Sequence, residues 1–469
     1  NLKLGNGRVD PDDLGEEIAW HAGAAPPHGV ETGPGGGHAV YVPVGGVDHA
    51  ACGSDSDLYN RVLGSGDIGS ASSSSGNSRV LVLERDVHLA PGESAWWGVA
   101  VLFVNDDPNH PRAHLFRDDR TVDDILALWS EFAGGADART LHDDALAEFE
   151  AWRADAAPAG LSAGEQTIWR QSEAVLRMGQ VFERPGENYG MILASLPNGE
   201  WHTGWVRDAM YAVVALAMTG HPEEARLGVE FFLGAEAGFF SKPIHLDMDY
   251  LVSACRYFGN GLEEGDFNQD GPNVETDGWG LVLWAARAVL HESCGLDWLD
   301  QTTWRGETVF EALHRVAQQI ETYSQSNLPR PDASIWEVHW NYRQVFGYTA
   351  AAQIRGLFDF AAIADVYGRS DLGDHYRQVA SDWLAAATFR VMGCRDVARV
   401  DFRLDANDGN KPYILEINPL PGLNPGYSDL CVEATAYGWR YDQLINHILD
   451  EAIERQHVKS TASQWSTSE

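Results

Sequence analysis

Between residues 160 and 387 apolar side chains recur every three or four positions in one segment after another, and no alternating run interrupts them. A stretch of that kind can hide its apolar faces only by packing helix on helix. The spacing predicts helices over 162–182, 206–219, 222–235, 244–257, 277–291, 304–323, 349–367 and 370–387. The clearest carries Val206, Met210, Val213, Val214 and Ala217 on one face. Gly220 ends it, and Pro222-Glu-Glu opens the next with a first-turn proline and acids.

The flanks differ. Residues 1–118 read as β, with short apolar runs such as 38–44, 78–84 and 94–104 between Gly, Pro and Ser clusters. The Ser/Gly tract 66–78 reads as a mobile loop. Residues 119–157 read as a helical connector, with helix starts at Thr121 and Leu141. Near 388 the period changes to two: Val397–Leu404 alternates strictly, Asp408-Gly409 signals a two-residue hairpin turn, and Pro412–Asn418 is the return strand. A helix over Tyr441–Arg455 and a disordered tail over 458–469 complete the chain. The segments are therefore 1–118, 119–157, 158–387, 388–457 and 458–469.

Charge excludes some partners. Against 69 acidic residues stand 33 basic ones, a formal −36, which argues against nucleic acid and anionic membrane. No apolar run reaches membrane-spanning length. The five cysteines, Cys52, Cys255, Cys294, Cys394 and Cys431, are odd in number and lack CxxC spacing, which suits a reducing, cytoplasmic setting. The sequence starts at Asn1 rather than Met, so a lost leader stays open.

Two constellations carry chemistry. In Asn198-Gly-Glu-Trp-His-Thr-Gly-Trp-Val-Arg-Asp, residues Trp205, Arg207 and Asp208 stand at a helix N-terminus. An aromatic wall beside a charged fork suits a sugar ring, and a buried ion pair under a loop reads equally well. Glu337 lies between Trp336 and Trp340 in a loop. A carboxyl against indoles is poorly solvated and holds its proton, as a general acid must. Asp277 opens a helix and reads as a pocket-lining residue. Asp266-Phe-Asn-Gln-Asp270-Gly matches the first half of a calcium loop, but Asp277 rather than Glu takes the twelfth position, so a polar loop is the preferred reading over Ca²⁺.

The Trp205-Val-Arg-Asp segment, with Tyr189-Gly-Met-Ile-Leu-Ala-Ser and Ser334-Ile-Trp-Glu-Val, resembles the glucoamylase-type, family fifteen glycoside hydrolases over about 75–385. The resemblance implies an N-terminal β-sandwich remnant and an α/α barrel, incomplete at about eight of twelve helices. It implies an α-glucoside or oligosaccharide substrate and an inverting mechanism with Glu337 as general acid. Trp205, Arg207, Asp208, Trp336 and Asp277 would then contact substrate. Val338 departs from the family, many of whose members carry a carboxylate there. Inversion needs a second carboxylate to activate water, and the family's base lies in late helices that this chain lacks.

The second constellation is the hairpin. A two-residue turn at Asp408-Gly409 sets Asp401 opposite Glu416 and Arg399 opposite Asn418, all on one face. Opposed carboxylates destabilise a sheet unless a cation lies between them, and hard oxygen donors suit Mg²⁺ or Mn²⁺. Gly393-Cys-Arg-Asp-Val-Ala-Arg-Val-Asp-Phe-Arg and Leu415-Glu-Ile-Asn-Pro-Leu-Pro-Gly are similar to the end of D-alanine–D-alanine ligase-type ATP-grasp enzymes, over about 388–457. That resemblance implies magnesium on ATP phosphates at Asp401, Glu416 and Asn418, and substrate contacts at Arg399 and Gly422. The hydrolase reading covers more of the chain. An ATP-dependent carboxylate–amine ligase and a non-catalytic binding fusion are the alternatives.

Overall fold

The computed structural model describes residues 15–33, 37–105, 121–153, 157–182, 189–196, 201, 203–242, 245–258, 261–265, 267–268, 270–292, 294–405 and 411–465. The chain divides into two compact units, 1–177 with 195–202 and 178–194 with 203–469.

In the first unit the strands are β1 (Glu16–His21), β2 (His28–Thr32), β3 (Gly37–Val44), β4 (His49–Ser54), β5 (Ser73–Gly76), β6 (Arg79–Glu84) and β7 (Gly98–Asn105). The helices are α1 (Asp55–Gly64), α2 (Val122–Ala133), α3 (Ala138–Trp152) and most of α4 (Ala163–Gly179). One antiparallel sheet has the order β5-β1-β2-β3-β7, and β4 pairs with β6. Alternation sorts the faces. Val40 and Val42 of β3 bury against Leu126 of α2, while Val80 and Val82 of β6 pack towards Leu58 of α1. Leu81, on the other face of β6, reaches Gly29 of β2 so closely that a Cβ there would stand 2.3 Å from the leucine methyl.

The second unit is mainly helical. It holds β8 (Gly204–Trp205), α5 (Val206–Met218), α6 (Pro222–Gly234), β9 (Arg256–Tyr257), β10 (Phe267–Asn268), β11 (Gly271–Pro272), α7 (Asp277–Glu292), α8 (Val309–Thr322), α9 (Gly347–Val366) and α10 (Ser370–Val391). Then come β12 (Arg399–Asp405), β13 (Lys411–Asn418), α11 (Asp429–Ala436) and α12 (Tyr441–Trp465). Helix α7 is the centre, buried on almost every side and packed on α5, α6, α8 and α9. It meets α9 backbone to backbone: a Cβ on Gly280 would lie 2.2 Å from the Ala352 carbonyl oxygen, and one on Gly356 2.4 Å from that of Gly280.

Four expectations need correction. Where apolar spacing suggested a helix over 244–257, residues 245–255 form turns and bends and Arg256–Tyr257 the short strand β9. Their backbone donors are taken by buried side chains: Ala254 N–H by Glu263 (3.2 Å), Leu251 N–H by Gln319 (2.8 Å) and Ser253 N–H by Tyr257 (2.7 Å). Ser73–Gly76 of the Ser/Gly tract is a strand paired with β1, and Ile68 is buried with Ala51 and Leu58. Helix α3 starts at Ala138, capped by Asp137, not at Leu141. Helix α12 runs on to Trp465 through the tail expected to be disordered. No helix among the described residues is long and apolar enough to cross a membrane.

Gly280→Ala or Gly356→Ala should destabilise the protein by at least about 2 kcal/mol in denaturant unfolding, because a backbone contact cannot yield as a side chain can. Gly164→Ala, in α4 with open space around it, should be neutral or slightly stabilising.

Candidate functional site

The N-terminus of α5 is laced to three other segments. Trp205 pairs with Arg256 in the β8–β9 ladder, and the Val206 N–H donates to the Cys255 carbonyl at 3.1 Å. Glu275 N–H reaches the Ala254 carbonyl at 2.6 Å, and Ala333 N–H the Val274 carbonyl at 2.8 Å. Asp332 then accepts from the Thr276 N–H and hydroxyl, both at 3.0 Å, and from the Thr349 hydroxyl at 3.1 Å. Residues far apart in the chain are thereby fixed around one side chain, Arg207.

The Arg207 Nη1 lies 2.6 Å from Glu275 and 3.2 Å from Asp277. Its Nη2 lies 3.8 Å from Glu337, and its Nε 4.0 Å from Asp208. Glu275 is 2% exposed and Asp277 0%, whereas Asp208 and Glu337 are each 48% exposed. One guanidinium therefore separates two buried acids from two that meet solvent. Burial pushes the Glu275 carboxyl up to about 7, with Arg207 opposing and Asp277 adding to the shift. Burial, then the Asp277 charge, raises Asp332 to about 7, and Asp277 itself is shifted upward by burial.

Glu337 sits in a left-handed backbone conformation (φ 47°, ψ 39°), as does Ser334 three residues before it (φ 52°). Left-handed non-glycine residues store strain that the surroundings must hold. Here the Glu337 N–H bonds the Ser334 carbonyl at 3.0 Å, and the Ser334 hydroxyl meets Thr349 at 3.0 Å.

Arg207, Asp208, Asp277 and Glu337 are thus brought together, but several expected roles change. Trp205 is buried, with Arg256 stacked 4.3 Å over its ring and its indole N–H on Glu275 at 3.3 Å. It orients Glu275 and is no exposed wall for a ligand. Asp277 lies beneath Arg207 rather than lining a pocket. Trp336 is 68% exposed, and Trp340 packs against Arg343 and Gly271, so Glu337 is not desolvated by indoles. Asp266 lies outside the described residues. Asp270 accepts the Trp340 and Asn341 backbone N–H groups, both at 3.1 Å, at the start of a short helix. Glu275 and Asp332 escaped the sequence reading. Glu275 stands one residue before Thr276-Asp277, an acid-x-acid spacing whose burial no local pattern reveals.

In the hairpin Arg399 pairs with Asn418 and Asp401 with Glu416, and the register then slips by one at Phe402↔Ile414. The turn expected at Asp408-Gly409 lies outside the described residues. Arg399 grips both Asp401 oxygens at 2.8 and 2.9 Å, Glu416 at 3.1 Å and Asp429 at 2.5 Å. This holds the Asp401 carboxyl below its ordinary range. The Asn418 amide oxygen accepts from the Leu420 N–H at 3.0 Å, and Gly422 packs on the Ser428 hydroxyl. By donor type Asp401, Glu416 and Asn418 fit a hard cation. By arrangement Arg399 already supplies the countercharge, and no group of three His, Cys, Asp or Glu among the described residues is spaced to hold a metal.

Residues 369–450 match the family model "D-ala D-ala ligase C-terminus". Over 79 residues the chain is 40% identical to the D-alanine–D-alanine ligase of Synechococcus sp. (strain JA-3-3Ab), covering 17% of this chain and 23% of that protein. Over 83 residues it is 41% identical to that of Pelotomaculum thermopropionicum, covering 18% and 25%. The chain thus spans about a quarter of the length of these ligases. Among solved structures, a bacterial glucoamylase complexed with acarbose aligns at TM-score 0.46 and 12% identity, over 79% of this chain and 47% of that one. A family 92 glycosyl hydrolase aligns at TM-score 0.38 and 12% identity, over 86% and 44%.

Two outcomes are expected for the buried acids. Arg207→Met strands two buried carboxylates and should cost about 3–5 kcal/mol in unfolding, part of which Asp277→Asn on the same chain should restore. In the folded state Glu275 keeps its proton to about pH 7, whereas the unfolded chain loses it near the ordinary value of 4.5. The unfolded state therefore binds fewer protons across that window, and this contribution to stability falls as pH rises. Melting curves from pH 4.5 to 7 should show Glu275→Gln gaining on wild type with rising pH. A melting temperature of the variant minus that of wild type that stays flat or falls with rising pH would assign Glu275 an ordinary titration.

Proposed function

We propose that the Arg207 cluster is the acid–base and hydroxyl-binding site of a glycoside hydrolase of the glucoamylase type, acting on α-glucosidic bonds in an oligosaccharide. The observation that carries the reading is the pair of half-exposed carboxylates, Asp208 and Glu337, both within 4.0 Å of one guanidinium that is anchored from below by buried acids. Glu337 acts as general acid, held in a strained loop conformation. Arg207 and Asp208 donate to and accept from sugar hydroxyls, and Glu275 and Asp277 fix the fork without meeting solvent. The helices of the second unit form part of an α/α barrel, and the strands of the first a sandwich-like layer before it.

Asp208 is the remaining half-exposed acid beside the fork, and kinetics of hydrolysis of a nitrophenyl α-glucoside decide its role. Glu337→Gln should abolish turnover. Asp208→Asn should raise KM if the residue binds hydroxyls; a collapse of kcat that azide restores would make it the base. Full activity in Glu337→Gln would remove the proposal.

The C-terminal segment supports a second reading. Its ligase-family match and the Asp401–Glu416, Arg399–Asn418 register fit an ATP-grasp metal face, with Asp401, Glu416 and Asn418 holding Mg²⁺ that would neutralise ATP phosphates. Arg399 must first release the carboxylates. Manganese titration should therefore show tighter binding to Arg399→Ala than to wild type and none to Asp401→Asn. Micromolar binding of Mg·ATP by the wild-type chain would make the ligase reading the better one.

A further inference from the structure

Within the second unit, helices α5, α7, α9 and α10, with Pro412 and Ile414 of β13, border an open groove of about 880 Å³. Trp284, Arg287, Ala288 and His291 follow one another three or four residues apart along α7, so they share one helical face. Ile354, Phe358 and Ala362 share a face of α9 in the same way, and Leu384, Ala387 and Val391 line the groove from α10. The rim is apolar too: Met218 is 71% exposed, Val391 79% and Met392 61%. Large apolar side chains left in water around one depression mark a surface that something apolar covers.

The charged residues narrow the choice of occupant. Arg355 donates to Asp359 at 2.6 Å and Arg377 to Asp374 at 2.9 Å, and a His291 ring nitrogen lies 2.7 Å from Glu292. Arg287 differs. It is half-buried, and its guanidinium has no hydrogen bond, ion pair or ring contact among the described residues. Acids outnumber bases 69 to 33 in the chain, yet none is brought to this group. A hydrocarbon alone would cover the apolar walls and leave a desolvated charge unpaired, which is costly. A cation would set like charges side by side. An oligosaccharide would press many hydroxyls against alanine, leucine and valine side chains that offer them no partner. An apolar tail with an anionic head meets both features, because two guanidinium N–H groups can grip a planar carboxylate at once. The other two arginines are already committed to acids, so one head charge suits the groove better than the nearly two of a phosphate.

We infer that this groove binds an amphipathic carboxylate, a fatty-acid-like anion with its head on Arg287 and its tail along the apolar faces of α9 and α10. The volume lies within the about 300–1,000 Å³ typical of ligand pockets. The site does not depend on the hydrolase reading, since no residue of the Arg207 cluster takes part. Its walls combine α5, α7 and α9 with α10 and β13, which belong to the segment that matches the ligase family.

Isothermal titration of the full chain with decanoate, decanol and decyltrimethylammonium tests it, in about 0.15 M salt so that the acidic chain's long-range repulsion of an anion is screened. Decanoate should bind at least about tenfold more tightly than decanol, and the ammonium more weakly than either. Arg287→Met keeps the apolar stem and deletes the charge. It should lower decanoate affinity to that of decanol and leave decanol binding unchanged, a loss of charge preference that a merely structural role would not produce. Ala362→Trp, which fills the groove, should abolish binding of both. Circular dichroism melting identifies a variant that has merely unfolded; Arg287→Gln and Ala351→Trp then take the places of the first two. No binding of decanoate, decanoate affinity unchanged in Arg287→Met, or preference for the ammonium would overturn the inference. So would a concentration-dependent dimer in light scattering that excludes decanoate, because the groove would then belong to a second copy of the chain.

Discussion

The second unit depends on a charge imbalance that one guanidinium only partly relieves. Glu275, Asp277 and Asp332 are all buried within a short stretch of space, and Arg207 pairs with the first two. An uncompensated buried carboxylate is too costly to keep ionised, so such groups are paired or hold their protons. Both happen here. Arg207 takes two acids, and Asp332 is shifted up while Thr276 and Thr349 saturate its oxygens. The arrangement explains why the loop carrying Glu337 can sit in left-handed geometry. Asp332 and Ala333 tie its start to the head of α7, and Thr349 at the head of α9 ties down Ser334. The strain is thus held by hydrogen bonds that exist mainly because the acids beneath them need partners.

Most helices of the second unit were legible because they are long and their apolar period is unbroken; α5, α6, α7 and α9 fall within two residues of expectation. The failure at 244–257 has a physical origin. That segment is as apolar as a core helix, since Leu246, Leu251, Val252 and Ala254 are all buried. Its backbone donors are met by Glu263, Gln319 and Tyr257, which hydropathy does not locate. The candidate site divides in the same way. Arg207 and Glu337 stood out because chain-local neighbours mark them. Glu275 and Asp332 derive their character from burial and from one another, which only the packed structure reveals. Trp205 shows the converse: its motif was visible, but the stacking of Arg256 on its ring changes its role from contacting a ligand to orienting Glu275.

In the hairpin, local alternation was sufficient near Arg399 and Asp401 and failed toward the turn. The single slip falls at Leu415, between the Asp401–Glu416 pair and the rest of the ladder, so those two residues stay opposite each other. The face that matters electrostatically is therefore insulated from the loop that joins its strands.

The same insulation is absent at the other end of the hairpin. The match to the ligase C-terminus begins at residue 369, at the head of α10, ahead of the change in sequence period at 388. Helix α10 packs along α9 and buries Tyr376, Ala380 and Trp383. Tyr376 also closes an aromatic group with Phe360 and His314. Its C-terminus then ends in a Schellman motif: Cys394 N–H bonds the Phe389 carbonyl and Gly393 N–H that of Arg390, with Gly393 at φ 67°. A ligase-like segment joined through a loop would be free to move as a tail. Here its first helix is also a wall of the helical core, and its exit direction is set by a glycine cap six residues before Arg399. Helix α10 thereby joins the segment matched by the ligase family to the packing of α9, which meets α7 in turn through Gly280 and Gly356.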